Sequence, residues 1–211
     1  MEMASVLEAV CERLKREYAA HTVLLYGSMA DGSANADSDL DIAAFAPVDS
    51  ITRIAELHQG VFVDAFVYPE SVLASPDDEH LRFRGAKVLV QIADSAEAFL
   101  QRLDARYAAG PTPLPPDEIT ARRVWAKKML ARAQRGDVEG NYRRAWLLTA
   151  LLEDYFHLRG LWFEGPKKAF AWLHENDAAT LRSFDAALKP DAPLSAIDVV
   201  VACVVGDSSR T

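Results

Sequence analysis

A short apolar segment that ends in glycine constrains the fold more than any other part of the sequence. Residues Thr22–Tyr26 are apolar or β-branched and stop at Gly27, which predicts a buried strand. Residues Asp39–Ala46 alternate polar and apolar side chains at their start and predict a second strand. Asp39 and Asp41, two positions apart, would then project from the same face. Two such carboxylates raise each other's pKa unless a cation lies between them, so the pair indicates a divalent metal site.

The residues that follow the first strand indicate a phosphate site beside the carboxylates. Gly27 allows the backbone to approach a phosphate closely, and the Ser28 hydroxyl with nearby N–H groups can hold it at a helix start. A third carboxylate, Asp64, falls in the apolar strand predicted over residues 61–68. A charge there is unfavourable unless it is paired or bound to metal. The alternatives are a structural role for Asp64, capping a neighbouring loop, and a solvated turn before an edge strand for the aspartate pair.

Helices and strands are predicted in alternation through the first half. Apolar residues at helical spacing predict helices over 5–19 and over Ser50–Gln59, the second ended by Gly60. A further strand is predicted over 87–92 and a further helix over 95–109. Strands joined by helices predict a small sheet domain of the α/β or α+β type.

A segment rich in glycine and proline, residues 110–116, separates the two halves of the chain. Proline fixes φ and removes a backbone donor, so this segment cannot continue a helix or a central strand, and we predict a hinge between domains at 1–109 and 117–211. The second half shows no clear strand signal and predicts an all-α helical bundle. The fold class predicted is therefore α+β, with a small mixed sheet followed by the bundle. The predicted helices cover 117–135, 139–158, 167–175, 177–188 and 195–205.

Charge and composition exclude several classes of protein. The net charge of −8 argues against a protein that holds long nucleic acid, because neutralising phosphates requires a basic surface. Between Tyr26 and His80 there are eleven carboxylates and one cation, Arg53, whereas residues 122–135 hold six cations and no carboxylate. We expect these cations to balance the acidic first half, and the alternative is that they bind phosphate or RNA. The apolar runs are too short for a membrane span, and two cysteines in apolar patterns predict buried thiols in a reducing cytoplasm.

The segment from Val23 to Ile42, together with Asp64, resembles the DNA polymerase β-type nucleotidyltransferase superfamily. The run Gly27-Ser-Met-Ala-Asp-Gly-Ser-Ala-Asn-Ala-Asp-Ser-Asp-Leu-Asp41 is similar to Gly-Ser-Arg-Ala-x-Gly-x-Ala-x-x-x-Ser-Asp-x-Asp of the minimal and antibiotic-modifying (aminoglycoside-type) enzymes. Met29 stands where arginine is common, which removes a phosphate or structural contact but leaves every metal ligand in place. The motif covers residues 21–68, and the resemblance in fold extends to residue 95.

The resemblance implies roles for the residues of this motif. Asp39 and Asp41 would bind two Mg²⁺ ions, which Mn²⁺ can replace, and Asp64 would share the ion that activates the attacking group. Gly27 and Ser28 would hold a nucleoside triphosphate, for which ATP is the family expectation. The reaction implied is in-line attack of an acceptor hydroxyl on the α-phosphorus with release of pyrophosphate.

Three residues of the second half are candidates by the same resemblance. Lys167 and Lys168 follow a Gly-Pro helix start and resemble a lysine that reaches the β- and γ-phosphates in related enzymes. A solvated charged face is the alternative for either lysine. Glu153 is the candidate for the glutamate that serves as general base on the acceptor hydroxyl in antibiotic-modifying relatives. An ion pair with a neighbouring arginine is the alternative for Glu153.

The sequence therefore favours a cytoplasmic enzyme that moves AMP from ATP to a hydroxyl of a small molecule, with an aminoglycoside-like acceptor as the precedent. We expect the active site in a cleft between the two domains. A protein-adenylylating antitoxin-type enzyme is the first alternative, although such proteins usually lack a substantial helical half. A non-catalytic nucleotide-binding module is the second alternative. A protein partner and a homodimer both stay open, whereas nucleic acid and membranes are not expected as partners.

Overall fold

The structure is a computed structural model, which describes residues 3–35 and 38–206. The chain consists of two compact units, Met1–Ala109 and Gly110–Thr211. No helix among the described residues is long and apolar enough to cross a membrane. Cys11 is buried and Cys203 is half-buried, and both are free thiols.

The first unit contains a five-stranded sheet with helices packed on it. Its elements, in chain order, are α1 (Met3–Tyr18), β1 (Thr22–Tyr26), α2 (Ser28–Asp31), β2 (Leu40–Ala46), β3 (Thr52–His58), β4 (Val61–Pro69), α3 (Ser71–Ala74), a 3-10 helix (Asp78–Phe83), β5 (Lys87–Val90) and α4 (Ser95–Ala109). The strand order is β3-β4-β2-β1-β5. Only β2 and β4 run parallel, and the other neighbouring strands are antiparallel, so the sheet is mixed as predicted.

Alternation along the central strands gives the sheet two different faces. On one face, apolar residues of β2 such as Leu40 and Ile42 pack with Val10 and Leu14 of α1 in one buried cluster. On the other face, Phe45 of β2 packs against Tyr68, with ring centroids 5.7 Å apart. Because side chains alternate along a strand, odd-numbered residues of β2 and even-numbered residues of β4 share this second, aromatic face. Asp41 of β2 and Asp64 of β4 therefore lie on the aromatic face.

The prediction of a helix over Ser50–Gln59 is wrong, because this segment forms the edge strand β3. Gln59 and Gly60 have φ of 53° and 86°, and they connect β3 to β4 as a two-residue hairpin turn. Positive φ at both central residues is what a type I′ turn requires, so Gly60 closes a hairpin and does not end a helix. The alternation of half-buried and exposed residues along Thr52–His58 has the strand period of two.

The second unit is helical throughout the residues described there, as predicted. Its elements are α5 (Pro116–Ala133), α6 (Val138–His157), α7 (Pro166–Asn176), α8 (Ala178–Leu188) and α9 (Leu194–Val205). Proline occupies the first turn of α5 and α7, and Asp137 and Asp177 cap α6 and α8 by accepting from backbone N–H groups. The apolar faces of α6 and α9 contribute most of the core of this unit, including Leu147, Leu151 and Val200.

The basic segment of the second unit is neutralised in part within that unit. Arg122 bonds to Glu118 at 2.8 Å and to Asp154 at 2.6 Å, and Arg135 bonds to Asp137 at 2.7 Å. Their partners lie within the second unit: Glu118 on α5, Asp154 on α6, and Asp137 at the N-cap of α6. The expectation that the basic segment balances the acidic first half stays a prediction.

Candidate active site

Gly27 lies at the end of β1 in a backbone conformation that favours glycine. Its φ is 68°, and a Cβ atom built on it would lie 2.3 Å from Oδ2 of Asp41. Its carbonyl oxygen accepts from the backbone N–H groups of Ala30 and Asp31 at 3.0 and 3.1 Å, which begins the short helix α2. Gly27 therefore leaves room for the carboxylate of Asp41 and also turns the chain away from the sheet at the end of β1. Ser28, next to it, is half-buried.

Strand register brings Asp41 and Asp64 side by side. In the parallel ladder between β2 and β4, Asp41 is the direct partner of Asp64, and on its other side Asp41 pairs with Tyr26. Asp39 is exposed and lies one residue before β2. The structure thus brings Gly27 and these three carboxylates together on the aromatic face, where β1 ends and β2 begins.

The electrostatics of Asp41 reflect this crowding. The pKa of Asp41 is raised from 3.8 to about 6, first by burial and then by the negative charges of Asp39 and Asp64, against an opposing effect of Arg82. Among the described residues, no basic side chain forms an ion pair with Asp39 or Asp41. The half-buried carboxylate of Asp41 and the exposed one of Asp39, neither bonded to a cation, favour an added cation, and hard oxygen donors suit Mg²⁺ or Mn²⁺.

Asp64 differs from the other two carboxylates because it holds a built-in cation. Arg53 Nε and Nη2 of β3 donate to Oδ1 and Oδ2 of Asp64 at 2.8 and 2.9 Å. In the sequence alone, Arg53 stands out only as the single cation in the acidic segment between Tyr26 and His80. The Gln59-Gly60 turn is the signal that would have placed it, because that hairpin pairs Arg53 with Phe66 and leaves Asp64 as its diagonal neighbour.

Comparison with known protein families relates the first unit to one of them. Residues 3–96 match the family model described as a nucleotidyltransferase domain. The N-terminal unit is a nucleotidyltransferase domain. The predicted resemblance is confirmed over these residues, and the chain contains the domain of a nucleotidyltransferase enzyme. Among solved structures, a nucleotidyltransferase-like protein from Exiguobacterium sibiricum has 12% identity over 96% of this chain and 73% of its own, with a TM-score of 0.43. No curated protein matches the chain.

The residues of the nucleotidyltransferase domain fit the divalent metal that the family typically uses with a nucleoside triphosphate. Asp41 and Asp64 are neighbours in register, and Asp39 lies close enough to raise the pKa of Asp41. The absence of a side chain at Gly27 keeps Oδ2 of Asp41 accessible. Three carboxylates in one place form the all-oxygen donor set that Mg²⁺ prefers.

A second arginine, which the sequence did not single out, also lies beside this site. Arg82 comes from the 3-10 helix, and it donates a hydrogen bond to the hydroxyl of Tyr68. Its guanidinium lies 5.3 Å from the ring of Phe66, the same distance as that of Arg53. Two arginines thus contact one ring of the nucleotidyltransferase domain, next to the carboxylates. No short motif signals Arg82, because the 3-10 helix that carries it has no clear period.

The structure places the three candidates of the second half in the helical unit. Lys167 and Lys168 are exposed at the start of α7, and Lys168 pairs with Glu164 at 2.7 Å. Glu153 lies on α6, with Oε1 3.6 Å from Nδ1 of His157. The neighbouring acid Asp154, and not Glu153, is the one that pairs with an arginine.

Glu153 lines a pocket between α5 and α6. The pocket has a volume of about 320 Å³. Its walls include two indole rings, those of Trp125 and Trp146, whose centroids are 5.4 Å apart. Glu118 and Asp154 add two further carboxylates. A concave site with an aromatic wall and a few polar groups is typical of small-molecule binding.

A separate group of side chains, Asp77, Glu79 and His80, could also hold a metal ion. Asp77 and His80 form a capping box at the start of the 3-10 helix, in which Asp77 accepts from the backbone N–H of Glu79 and the His80 ring accepts from that of Asp77. These bonds satisfy the first N–H groups of the helix. The side chains of Asp77 and His80 therefore have a structural role in this cap, to which Glu79 contributes its backbone N–H.

Proposed function

We propose that this enzyme transfers a nucleoside monophosphate, AMP from ATP, to a hydroxyl group of a small-molecule acceptor and requires Mg²⁺. The observation that carries the proposal is the convergence of Gly27, Asp41 and Asp64, with Asp39 beside them, within a nucleotidyltransferase domain. No other group of carboxylates among the described residues combines strand register with a glycine that leaves room for a ligand.

Each residue of the site has a proposed task. Asp39 and Asp41 would hold the metal ions, Asp64 would share one of them, and Gly27 with Ser28 would contact the triphosphate. When bound, the ions supply charge stabilisation to the attacking and leaving oxygens. The protein's own contribution is to orient the donor and to hold the three carboxylates close together, an environment that raises the pKa of Asp41 and so disfavours its ionised form unless a cation lies beside it.

The helical unit supplies the support for a small-molecule acceptor. The pocket beside Glu153 has the rings of Trp125 and Trp146 in its wall, and Glu118 and Asp154 are paired there with Arg122, which also lines it. The two rings and the carboxylate of Glu153 would contact a cationic acceptor of aminoglycoside type. Glu153 is proposed as the general base on the acceptor hydroxyl, because its side chain is about half exposed and its only close partner among the described contacts is His157. Lys167 and Lys168 are proposed to contact the β- and γ-phosphates.

The test is label transfer from each of the four α-³²P-labelled nucleoside triphosphates, with Mg²⁺ and a panel of hydroxylated acceptors that includes aminoglycosides. Supporting results are a labelled small molecule, an equal amount of pyrophosphate, and loss of both in Asp41→Asn. Glu153→Gln should reduce turnover by about 10²-fold, as expected for loss of a general base, without unfolding the protein. Label found only on a protein would contradict the small-molecule acceptor, and absence of any transfer with every acceptor would contradict the proposal as a whole.

A further inference from the structure

The third carboxylate of the site is occupied by a side chain of the protein itself. Both oxygens of Asp64 accept hydrogen bonds from Arg53, at 2.8 and 2.9 Å, in the parallel two-bond geometry that is strongest for guanidinium and carboxylate. A metal ion that shares Asp64 would need at least one of these oxygens. Arg53 and that ion therefore compete for the same atoms.

Arg53 is free to leave Asp64 without disturbing the core. Its side chain is 57% exposed, whereas that of Asp64 is 18% exposed. It projects from β3, which is one of the two edge strands of the sheet. Its register partner is Phe66, and the guanidinium lies 5.3 Å from that ring while it is bonded to Asp64. The ring offers the guanidinium a favourable position after the two hydrogen bonds to Asp64 are broken.

The other two carboxylates have no such partner. Asp39 and Asp41 form no ion pair with a basic side chain among the residues that the structure describes. The site therefore has two unequal halves: one with uncompensated carboxylates, and one in which a cation is already present.

We propose that Arg53 blocks the metal position at Asp64 until it is displaced, so that the site fills in order, first at Asp39 and Asp41 and then at Asp64. This inference rests on the proposed function, because it takes the three carboxylates to be metal ligands. Arg53 acts through Asp64 and is a positioning residue. Its displacement would couple completion of the site to the arrival of the second ion.

The test is titration of the purified protein with Mn²⁺ alone, with the free ion counted by electron paramagnetic resonance. In Arg53→Gln the weaker class of Mn²⁺ sites should tighten by roughly three- to tenfold, which corresponds to the loss of one competing, partly exposed ion pair. The Mn²⁺ affinity of the stronger class of sites should change less. Thermal unfolding of Arg53→Gln checks that the variant folds, which we expect because the Arg53 side chain is more than half exposed.

The same substitution in an Asp64→Asn background separates competition from a general field effect. Competition predicts that Arg53→Gln no longer changes Mn²⁺ affinity once Asp64 is neutral, because the two residues act on the same atoms. Equal tightening in both backgrounds would overturn the proposal, since removal of a positive charge would then act through space. Unchanged or weaker binding in Arg53→Gln alone would also overturn it.

Failure of the proposed function has a different signature. If Asp39→Asn and Asp41→Asn both bind Mn²⁺ as the wild type does, the carboxylates are not the metal ligands and the proposed function fails. If those two variants lose Mn²⁺ while Arg53→Gln behaves as the wild type, only the role of Arg53 is refuted. Arg82→Gln is the control for loss of a nearby positive charge, because its guanidinium lies at the same distance from Phe66 and acts on Asp41 but does not bond to Asp64. Competition at Asp64 predicts that this variant does not selectively tighten the weaker class of Mn²⁺ sites.

Discussion

A Cβ atom added to Gly27 would lie 2.3 Å from Oδ2 of Asp41, which is closer than real Cβ atoms come to other heavy atoms. Any larger residue at position 27 would have to displace a carboxylate that sits beside two others. The φ of 68° at Gly27 adds a second, independent requirement for glycine. The glycine that ends β1 and the aspartate of β2 are therefore one structural unit, and the site depends on their contact.

Gly27→Ala should impair both stability and metal binding. We expect a loss of about 1–2 kcal/mol in the free energy of unfolding from the positive φ alone, and a loss of Mn²⁺ affinity because Asp41 must move. Gly85→Ala is the matched control, since Gly85 has a φ of 74° and open space where its Cβ would lie. Urea unfolding and Mn²⁺ titration of both variants check this. Equal Mn²⁺ affinity in the two variants would show that the contact with Asp41 has no role in binding.

The raised pKa of Asp41 predicts a pH-dependent stability in the absence of metal. The folded-state pKa of about 6 lies above the ordinary value of 3.8, so the folded protein holds the proton more tightly than the unfolded chain does. Ionisation of Asp41 therefore lowers stability as the pH rises through this window. Asp41→Asn should raise the free energy of unfolding by about 1–2 kcal/mol at pH 8, after allowance for solvent screening. The gain should vanish as the pH falls towards about 4.

Urea unfolding in EDTA at several pH values between these limits measures the effect. The exposed carboxylate variant Asp49→Asn is the control and should change stability by less than about 0.5 kcal/mol at each pH. A destabilised Asp41→Asn at pH 8 would mean that Asp41 makes favourable contacts in its charged form, contrary to its environment in the structure.

The hairpin between β3 and β4 predicts a stabilising substitution. Gln59 has a φ of 53°, which costs energy for a residue with a long side chain, and asparagine tolerates this conformation better. Gln59→Asn should raise the free energy of unfolding by about 0.5 kcal/mol, measured by thermal denaturation. A loss of stability would indicate that the two residues do not form a type I′ turn. Arg53 would then lack the register that brings it to Asp64.

A buried ion pair should dominate the response of the helical unit to mutation. Asp154 is 5% exposed, and burial raises its pKa although Arg122 bonds to it at 2.6 Å. Arg122→Met would leave this carboxylate without its partner, and we expect a loss of about 2–4 kcal/mol in the free energy of unfolding. Arg122→Met combined with Asp154→Leu should recover much of the loss, because no charge is then left unpaired.

Arg135→Met provides the contrast on the surface of the same unit. Arg135 pairs with exposed carboxylates, so its replacement should cost less than about 1 kcal/mol. Thermal unfolding followed by circular dichroism compares all three variants. A loss in Arg135→Met as large as that in Arg122→Met would contradict the importance of burial for the pair with Asp154.

The part of the site that sequence reasoning found depends on short-range pattern. Gly27, Asp39 and Asp41 fall within fifteen consecutive residues, and strand periodicity relates the aspartates to one another. Asp64 was found because a charge stands out in an apolar strand. The helices of the second half were also predictable, since their apolar periodicity is long and proline or aspartate marks the start of all five.

What sequence reasoning missed depends on pairing between strands. The residues of β3 mix polar and apolar side chains in a way that also fits a helix, and Gly60 is equally good as a helix end and as a turn residue. Only pairing with β4 decides between them, and that pairing brings Arg53 to Asp64. Arg82 likewise reaches Tyr68 through a tertiary contact with no local signal.

The central claim is that Asp39 and Asp41 form a metal-dependent nucleotide site. It is tested most directly by thermal shift of the wild type, Asp39→Asn, Asp41→Asn and Asp49→Asn with each of ATP, GTP, CTP and UTP, with and without Mg²⁺. A nucleotide present at 100 times its Kd should stabilise the protein by about 2.7 kcal/mol. We predict a Mg²⁺-dependent shift with ATP in the wild type and Asp49→Asn, and none in the other two variants. A shift of equal size in all four proteins would contradict the account.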